Sequence, residues 1–354
     1  MADSEPVPPR EKPTSTSTTA TTATPGVPAP QQYTPPSTLL FRLLPQSWIP
    51  YAELMRLDRP SGYYAFYWHY LIGLAFSACI TTTPPPPAQL LGLAIYLAIW
   101  VMFFRGVTCT WNDNIDQDLD RQVARCANRP IARRAVGTVA GHAFTALLTV
   151  ICGAMFLVFE NRMVLVYAAI MTIVLFIYPF GKRITDFPQV ILGFAFAIPV
   201  VMCPATLGAD PLLITEGSGV TEAVRWGALC LYGANTLWTI IFDTVYAHQD
   251  IKDDIKAGVK SLAVRLGERT KLGLGVLSTI QVGLLVATGY LCDLSWSYFS
   301  NGCGGAALSL FGMLYLVDLE RPESCAWWFG PGSKLVGASV VLGFLGHYFM
   351  LTGF

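Results

Sequence analysis

Nine apolar runs, near residues 63–80, 88–109, 138–159, 163–180, 187–207, 223–243, 272–291, 298–317 and 334–353, are each long enough to cross a bilayer. A crossing segment of this length must satisfy its own backbone N–H and C=O groups, and only a helix does so within one run. Composition agrees: 53% of the 354 residues are hydrophobic and 13% charged, about half the charged share of an ordinary soluble domain. The expectation is an all-α integral membrane protein of nine transmembrane helices, with turns marked by the four prolines from Pro84 to Pro87 and by Asp210-Pro211.

Residues 1–44 differ. Pro, Ser, Thr and Ala dominate there without hydrophobic periodicity, so a disordered tail is expected, followed by a membrane domain over 45–354. The tail lacks the apolar core of a signal peptide. Its Arg10, Lys12 and Arg42 are offset by Asp3, Glu5 and Glu11, which disfavours a mitochondrial presequence and points to the endoplasmic reticulum or a related endomembrane. A formal net charge of zero gives no reason to expect a nucleic-acid partner, and nothing indicates an obligate protein partner. Nine scattered cysteines without a CxxC pair support neither a zinc site nor a disulfide framework; they read as small apolar packing residues.

Two acid-rich clusters interrupt the apolar pattern. One is Asn112-Asp113-x-x-Asp116-x-x-x-Asp120, after the second run; the other is Asp243-x-x-Tyr246-Ala247-x-x-Asp250-x-x-Asp253-Asp254, after the sixth. Carboxylates are costly beside a bilayer, so such clusters are read as functional. At about 100° per residue, Asp113, Asp116 and Asp120 share one helical stripe, and Asp243, Asp250 and Asp254 another. Asp118 and Asp253 point off the stripes and read as solvated or supporting acids. Both clusters follow an even-numbered span, which returns them to the N-terminal side. Every Lys and Arg except Arg105, Arg162 and Arg225 falls on that side too, so the positive-inside rule places both clusters, and the active site they imply, at the cytosolic face.

The chemistry that fits two facing carboxylate stripes is hard divalent cations bridged by a phosphorylated substrate. Mg²⁺ takes oxygen ligands, keeps several waters and commonly combines one or two carboxylates with substrate phosphates. Arg121, Arg125, Arg129, Lys182, Arg183, Lys252 and Lys256 lie close in sequence and are suited to phosphate oxygens. The plainer reading pairs these acids with the interleaved bases in a solvated loop; two clusters on one side argue against it. Tyr63, Tyr64, Tyr67, Trp68, Trp111, Tyr178, Trp238 and Tyr246 surround the region. Ring faces stabilise cations, yet Tyr and Trp also anchor at membrane interfaces; Tyr246 and Trp111, within or against the clusters, are the exceptions favoured as substrate-facing. His69, His142 and His347 read as hydrogen-bonded core residues, and His248 as a candidate supporting group.

With these clusters in order, Leu54 to Gly62, Asn128-Arg129-Pro130-Ile131, Tyr178-Pro179 with Lys182-Arg183, Pro188-Gln189 and the stretch from Asp243 to Ser261 complete a pattern that resembles the UbiA-type membrane prenyltransferases. The resemblance covers most of the chain beyond the tail. It implies nine transmembrane helices around a central cavity, Mg²⁺ as cofactor, and alkylation of an aromatic acceptor by an isoprenyl diphosphate. By motif position, Asn112, Asp113, Asp116 and Asp120 would hold one metal, and Asp243, Asp250 and Asp254 the other. Asp113, Asp116, Asp250 and Asp254 are the catalytic candidates. Arg129 and Lys182 would contact diphosphate, with Arg125 a further candidate, and Tyr178 and Tyr246 would face substrate. The run from Cys109 to Asp118 and the stretch from Cys126 to Arg133 look closer to fungal meroterpenoid enzymes, which attach farnesyl to an orsellinic-type phenolic acid or a pyrone. Asp243 to Asp250 also looks like 4-hydroxybenzoate polyprenyltransferases of ubiquinone synthesis, although Phe242 stands where a tyrosine is common. The reading of another class is a cation-coupled transporter, which would carry its acids near the bilayer midplane on broken helices.

Overall fold

The computed structural model describes residues 33–213 and 220–353. Among them every regular element is helical, and nine long helices match the nine apolar runs. They are α1 (Pro60–Ile80), α2 (Pro87–Ile115), α3 (Thr138–Met155), α4 (Met163–Ile184), α5 (Pro188–Ala197 continued by Pro199–Thr206), α6 (Glu222–Ala247), α7 (Thr270–Leu291), α8 (a π-helical Tyr298–Gly304 running into Gly305–Leu316) and α9 (Ser333–Thr352). Seven helical segments are apolar and long enough to cross a membrane on those grounds alone. The other two, α1 and α8, have spanning length but carry more polar residues: α1 has four tyrosines and a histidine, and α8 opens on Tyr-Phe-Ser-Asn.

Consecutive helices pack side by side except α3 and α4, which both pack on α2, and α9 closes the ring against α1. Helices α5 and α6 are mostly buried, whereas α3, α4 and α7 each keep an apolar face exposed, including Leu147, Val150, Ile173, Ile177, Val276 and Ile280. Apolar exposure on that scale suits lipid and not water. The protein is an integral multi-pass membrane protein. Helix α5 is interrupted at Ile198, because Pro199 has no N–H to continue the ladder. No acid sits at that break, unlike the mid-span sites of a transporter.

Of the expected tail, residues 1–32 lie outside the described residues. The remainder makes contacts: Leu39–Leu43 is a short helix, and the Tyr33 hydroxyl donates to Glu53 Oε1 at 2.7 Å. Arg133 donates to the other Glu53 oxygen at 2.5 Å and lies 3.8 Å over the Tyr33 ring. Histidine placement matches expectation for the core: His69 Nδ1 faces Asn235 Oδ1 at 2.9 Å, and His69 Nε2 faces Thr239 Oγ1 at 3.2 Å.

A close helix crossing is fixed by Gly73 on α1. A Cβ there would lie 2.3 Å from the Pro199 carbonyl oxygen on α5, and a carbonyl has no rotamer with which to yield. Gly73→Ala is therefore expected to lower stability by about 1–3 kcal/mol, as overpacking does, read as a lower melting temperature of the detergent-solubilised protein. Gly92→Ala on α2, with nothing within 4 Å of its Cβ, should leave melting unchanged.

Candidate active site

Both acid clusters lie where a long helix stops. Helix α2 ends at Ile115, Asp116 caps it with φ −90° and ψ 6°, and a four-residue helix, Gln117–Asp120, follows. Helix α6 ends at Ala247, and Asp250 precedes the short helix Ile251–Ala257. The stripes expected to run along unbroken helices are thus each interrupted once. The first survives almost intact: the amide of Asp116 bonds to Asn112 O and that of Asp120 to Asp116 O, both at 2.8 Å, so helical spacing persists through the cap. The second bends, because the Asp250 amide reaches back only three residues, to Ala247 O at 3.2 Å.

Each buried acid of the first cluster faces a base. Arg56 donates to Asp113 Oδ1 at 2.5 Å. Arg129 Nη1 reaches the same oxygen at 3.3 Å and both Asp120 oxygens at 2.9 Å. Lys182, on the last turn of α4, donates to Asp116 Oδ2 at 2.6 Å and Asn112 Oδ1 at 3.2 Å. Arg125 crosses between the clusters: its Nε lies 2.9 and 3.0 Å from the two Asp250 oxygens, and its Nη1 donates to the Tyr246 hydroxyl at 2.7 Å. The structure thereby brings Asn112, Asp113, Asp116, Asp120, Arg125, Arg129, Lys182, Tyr246 and Asp250 together as three neighbouring hydrogen-bonded groups, Arg56 and Arg129 with Asp113 and Asp120, Lys182 with Asn112 and Asp116, and Arg125 with Tyr246 and Asp250.

Two adjoining cavities open on these groups. A polar one of about 120 Å³ lies between the clusters, with Asp116, Asp120, Asp243, Asp250, Asp254 and Lys182 on its walls. An apolar one of about 470 Å³ continues inward between α1, α2, α4, α5 and α6. Arg125, Arg129, Tyr178, Asp243 and Tyr246 line both. Burial, with the charge of Asp250 beside it, pushes the Asp254 carboxyl up to about 7, so a cation arriving there at neutral pH displaces a proton from part of the population.

Among the described residues no three acidic, histidine or cysteine side chains converge into a metal cage. The donor set nevertheless fits Mg²⁺ shared with a phosphate ligand. Asp113 Oδ2 and Asp116 Oδ1 are buried oxygens without a hydrogen-bond partner, and Arg129 Nε is a buried donor without one. Orphaned charged-group atoms at this burial are costly and point to a missing partner of opposite character.

Several candidates settle elsewhere. Trp111 turns outward, stacking on Phe176 at 4.3 Å and donating to the Phe176 carbonyl, so it lines neither cavity. Arg183 pairs with the off-stripe Asp118 at 2.6 Å, and Arg121 holds the Ala132 carbonyl at 3.1 Å. Lys252 and Lys256 are exposed. His248 meets Thr270 at 3.2 Å and no carboxylate of the network. Conversely, Arg56 and Arg105 belong to the site wall although neither was singled out for a role. Arg56 sits at φ 57°, an unusual value for a side chain of this size. Its carbonyl accepts from Arg105 Nη1 at 3.0 Å, while Arg105 Nη2 donates to Arg59 O at 2.8 Å. The only sequence signal for Arg105 was a charge inside an apolar run.

Comparison with known proteins places this geometry in context. The prenyltransferase ascA of Acremonium egyptiacum is 37% identical over 83% of this chain and 84% of its own length. The DMOA farnesyltransferase nvfB of Aspergillus novofumigatus is 38% identical over 77% of this chain and 82% of its own. A UbiA homolog from Archaeoglobus fulgidus, solved with DMAPP and Mg²⁺, superposes with a TM-score of 0.61 at 17% identity, covering 84% of this chain and 98% of that one; it shares the fold. The family model of the UbiA prenyltransferases matches residues 70–339, and the chain belongs to the UbiA prenyltransferase family.

Proposed function

We propose that this enzyme transfers a farnesyl group from its diphosphate to a ring carbon of an aromatic polyketide, an orsellinic-type phenolic acid or a pyrone, in meroterpenoid biosynthesis. The observation that carries the reading is the polar vestibule of paired acids and bases opening directly onto an apolar cavity. The nvfB relative, named a farnesyltransferase, supports the donor. A volume of about 470 Å³ lies in the lower half of the range for small-molecule sites, about 300–1,000 Å³, which suits a short isoprenoid beside one aromatic ring.

In this reading Asn112, Asp113, Asp116 and Asp120 hold one Mg²⁺, and Asp243, Asp250 and Asp254 a second. Bound Mg²⁺ supplies Lewis-acid neutralisation of the departing diphosphate. The chain's own bases do the rest of the anion binding. Arg56, Arg125, Arg129 and Lys182, now paired to carboxylates, exchange those partners for phosphate oxygens, with arginine gripping two oxygens at once. Cleavage of the allylic C–O bond leaves its electron pair on diphosphate and a cation on the isoprenoid. Tyr178, Tyr246 and Phe329 line the cavity on the side of the acid network; their ring faces stabilise the charge, and their bulk keeps out water. An electron-rich ring carbon of the acceptor then forms the new C–C bond, and loss of its proton restores aromaticity. Positioning and charge stabilisation carry most of the acceleration. We place the vestibule at the cytosolic face of the endoplasmic reticulum or a related endomembrane, on the basic residues gathered around it.

Membranes containing the protein, given Mg²⁺, farnesyl diphosphate and a panel of phenolic acids and pyrones, should yield a C-farnesylated aromatic. Chelation should abolish it, and Asp113→Ala or Asp250→Ala should each reduce it by at least about a hundredfold, the scale of losing electrostatic stabilisation of developing charge. Product only from 4-hydroxybenzoate and long-chain donors would move the enzyme to ubiquinone synthesis. Stability tests the pairing separately. Arg129→Met leaves Asp113 and Asp120 under-compensated and should cost about 3–5 kcal/mol, the range for breaking a buried pair. Adding Asp120→Asn should restore part of that loss in a double-mutant cycle; strict additivity would mean the pair contributes nothing.

A further inference from the structure

We propose that Phe196, backed by Phe66 and Phe242, is the floor of the apolar cavity and sets the longest isoprenoid chain the enzyme accepts. This rests on the prenyltransfer reading above and adds to it the residue that measures the donor.

Along α1, α4, α5 and α6 the lining stops at one level, and Ala326 and Phe329 from the segment before α9 complete it. Its innermost residues are Phe66 on α1, Leu175 on α4, Phe196 on α5 and Phe242 on α6, whereas Arg105 of α2 reaches the cavity through a guanidinium turned back to the Arg56 and Arg59 carbonyls. One turn further in, His69, Val101, Met171 and Trp238 are all at most 2% exposed and touch neither cavity. Seven positions separate Lys182 from Leu175 on α4. At 1.5 Å per residue the cavity therefore descends only about 10 Å below the acid network. A farnesyl chain entering with its diphosphate at the vestibule therefore reaches the aromatic layer before it is fully extended, and its last unit lies bent against it.

That layer is closed. The Phe66 and Phe196 rings stand 4.1 Å apart, and Phe242 lies 6.4 Å from Phe196. Behind Phe196 the His69 ring presents its edge at 5.5 Å, pinned by Asn235 and Thr239. Phe104 supports Phe66 from the other side at 6.4 Å. Phe196 reaches deepest from its helix start, eight residues beyond Pro188, so its ring is the one whose removal lengthens the cavity instead of widening it.

A sideways route is the competing arrangement. A groove of about 430 Å³ between α1 and α2, lined by Tyr63, Tyr67, Ala98, Ile99 and Met102, meets the cavity at Arg56 and Arg105. The passage is occupied by the Arg105 guanidinium, held by the carbonyls of Arg56 and Arg59 at 3.0 and 2.8 Å. A buried charge tied to two backbone oxygens is a poor neighbour for a hydrocarbon chain, which favours the floor.

The experiment compares kcat/KM for geranyl, farnesyl and geranylgeranyl diphosphates with one acceptor. Phe196→Ala, with Phe196→Leu as the milder truncation should the first not fold, should raise the geranylgeranyl-to-farnesyl ratio by at least about tenfold, since a single methylene of misfit already discriminates roughly ten- to two-hundredfold. Phe196→Trp should shift preference towards geranyl. Ala98→Trp, which fills the groove, should leave the ratio where it was. An unchanged ratio in Phe196 variants that still farnesylate, or a ratio moved by Ala98→Trp instead, would overturn the proposal while leaving the prenyltransfer reading intact. Absence of transfer by the unmodified enzyme from every donor would overturn both.

Discussion

Matching of buried carboxylates to half-buried bases at one end of the bundle is the interaction on which the rest depends. Asp113, Asp116 and Asp120 are between 0% and 6% exposed, and an uncompensated charge at that burial would be neutralised or would unfold its surroundings. The compensation comes from separate elements: Arg56 precedes α1, Lys182 ends α4, and Arg125 and Arg129 lie on the loop after α2. The ion pairs therefore tie together helix ends that apolar packing alone, non-directional and satisfied by many arrangements, would not register against one another. Arg125 matters most for the geometry, since it carries the first cluster's loop onto Asp250 and Tyr246 of the second.

The pairing is also incomplete. One oxygen of Asp113, one of Asp116 and Arg129 Nε lack partners. A network that satisfied every atom would be a structural clamp. One that leaves anionic oxygens and a cationic donor unpaired together is complementary to an ion pair, which is what a metal–diphosphate complex presents. Below it the chemistry changes within two helical turns, from charged walls to Phe66, Leu192, Phe196 and Phe242. That abrupt boundary orients an amphiphile with its charge at the mouth and its hydrocarbon inward.

Much of this was legible in the chain. Spanning helices leave an unmistakable trace because lipid forbids polar residues over some twenty positions, and all nine runs became helices. The acids were legible for the converse reason: carboxylates at those helix ends have no cheap structural use. Contacts between distant segments left no such trace. Nothing in local spacing couples Arg56 to Asp113, 57 residues away, or shows that Tyr33 docks on Glu53. Trp111 was misjudged because adjacency in sequence says nothing about which face of α2 it occupies; its indole turns to α4. The second stripe bent because a helix that stops at Ala247 no longer obeys a 100° step. The aromatic floor was invisible too, since Phe66 and Phe196 look like any other apolar residues until their helices meet.

The central claim is that the carboxylates hand their bases to diphosphate when metal arrives. Calorimetric binding of an unreactive farnesyl thiodiphosphate to the purified protein, with Mg²⁺ and with EDTA, tests it directly. The exchange predicts strong positive coupling: the analogue should bind at least about tenfold more tightly with Mg²⁺, a coupling free energy of about 1.4 kcal/mol or more. Equal affinity with and without the metal would mean that the bases are available to diphosphate from the outset, and would contradict the account.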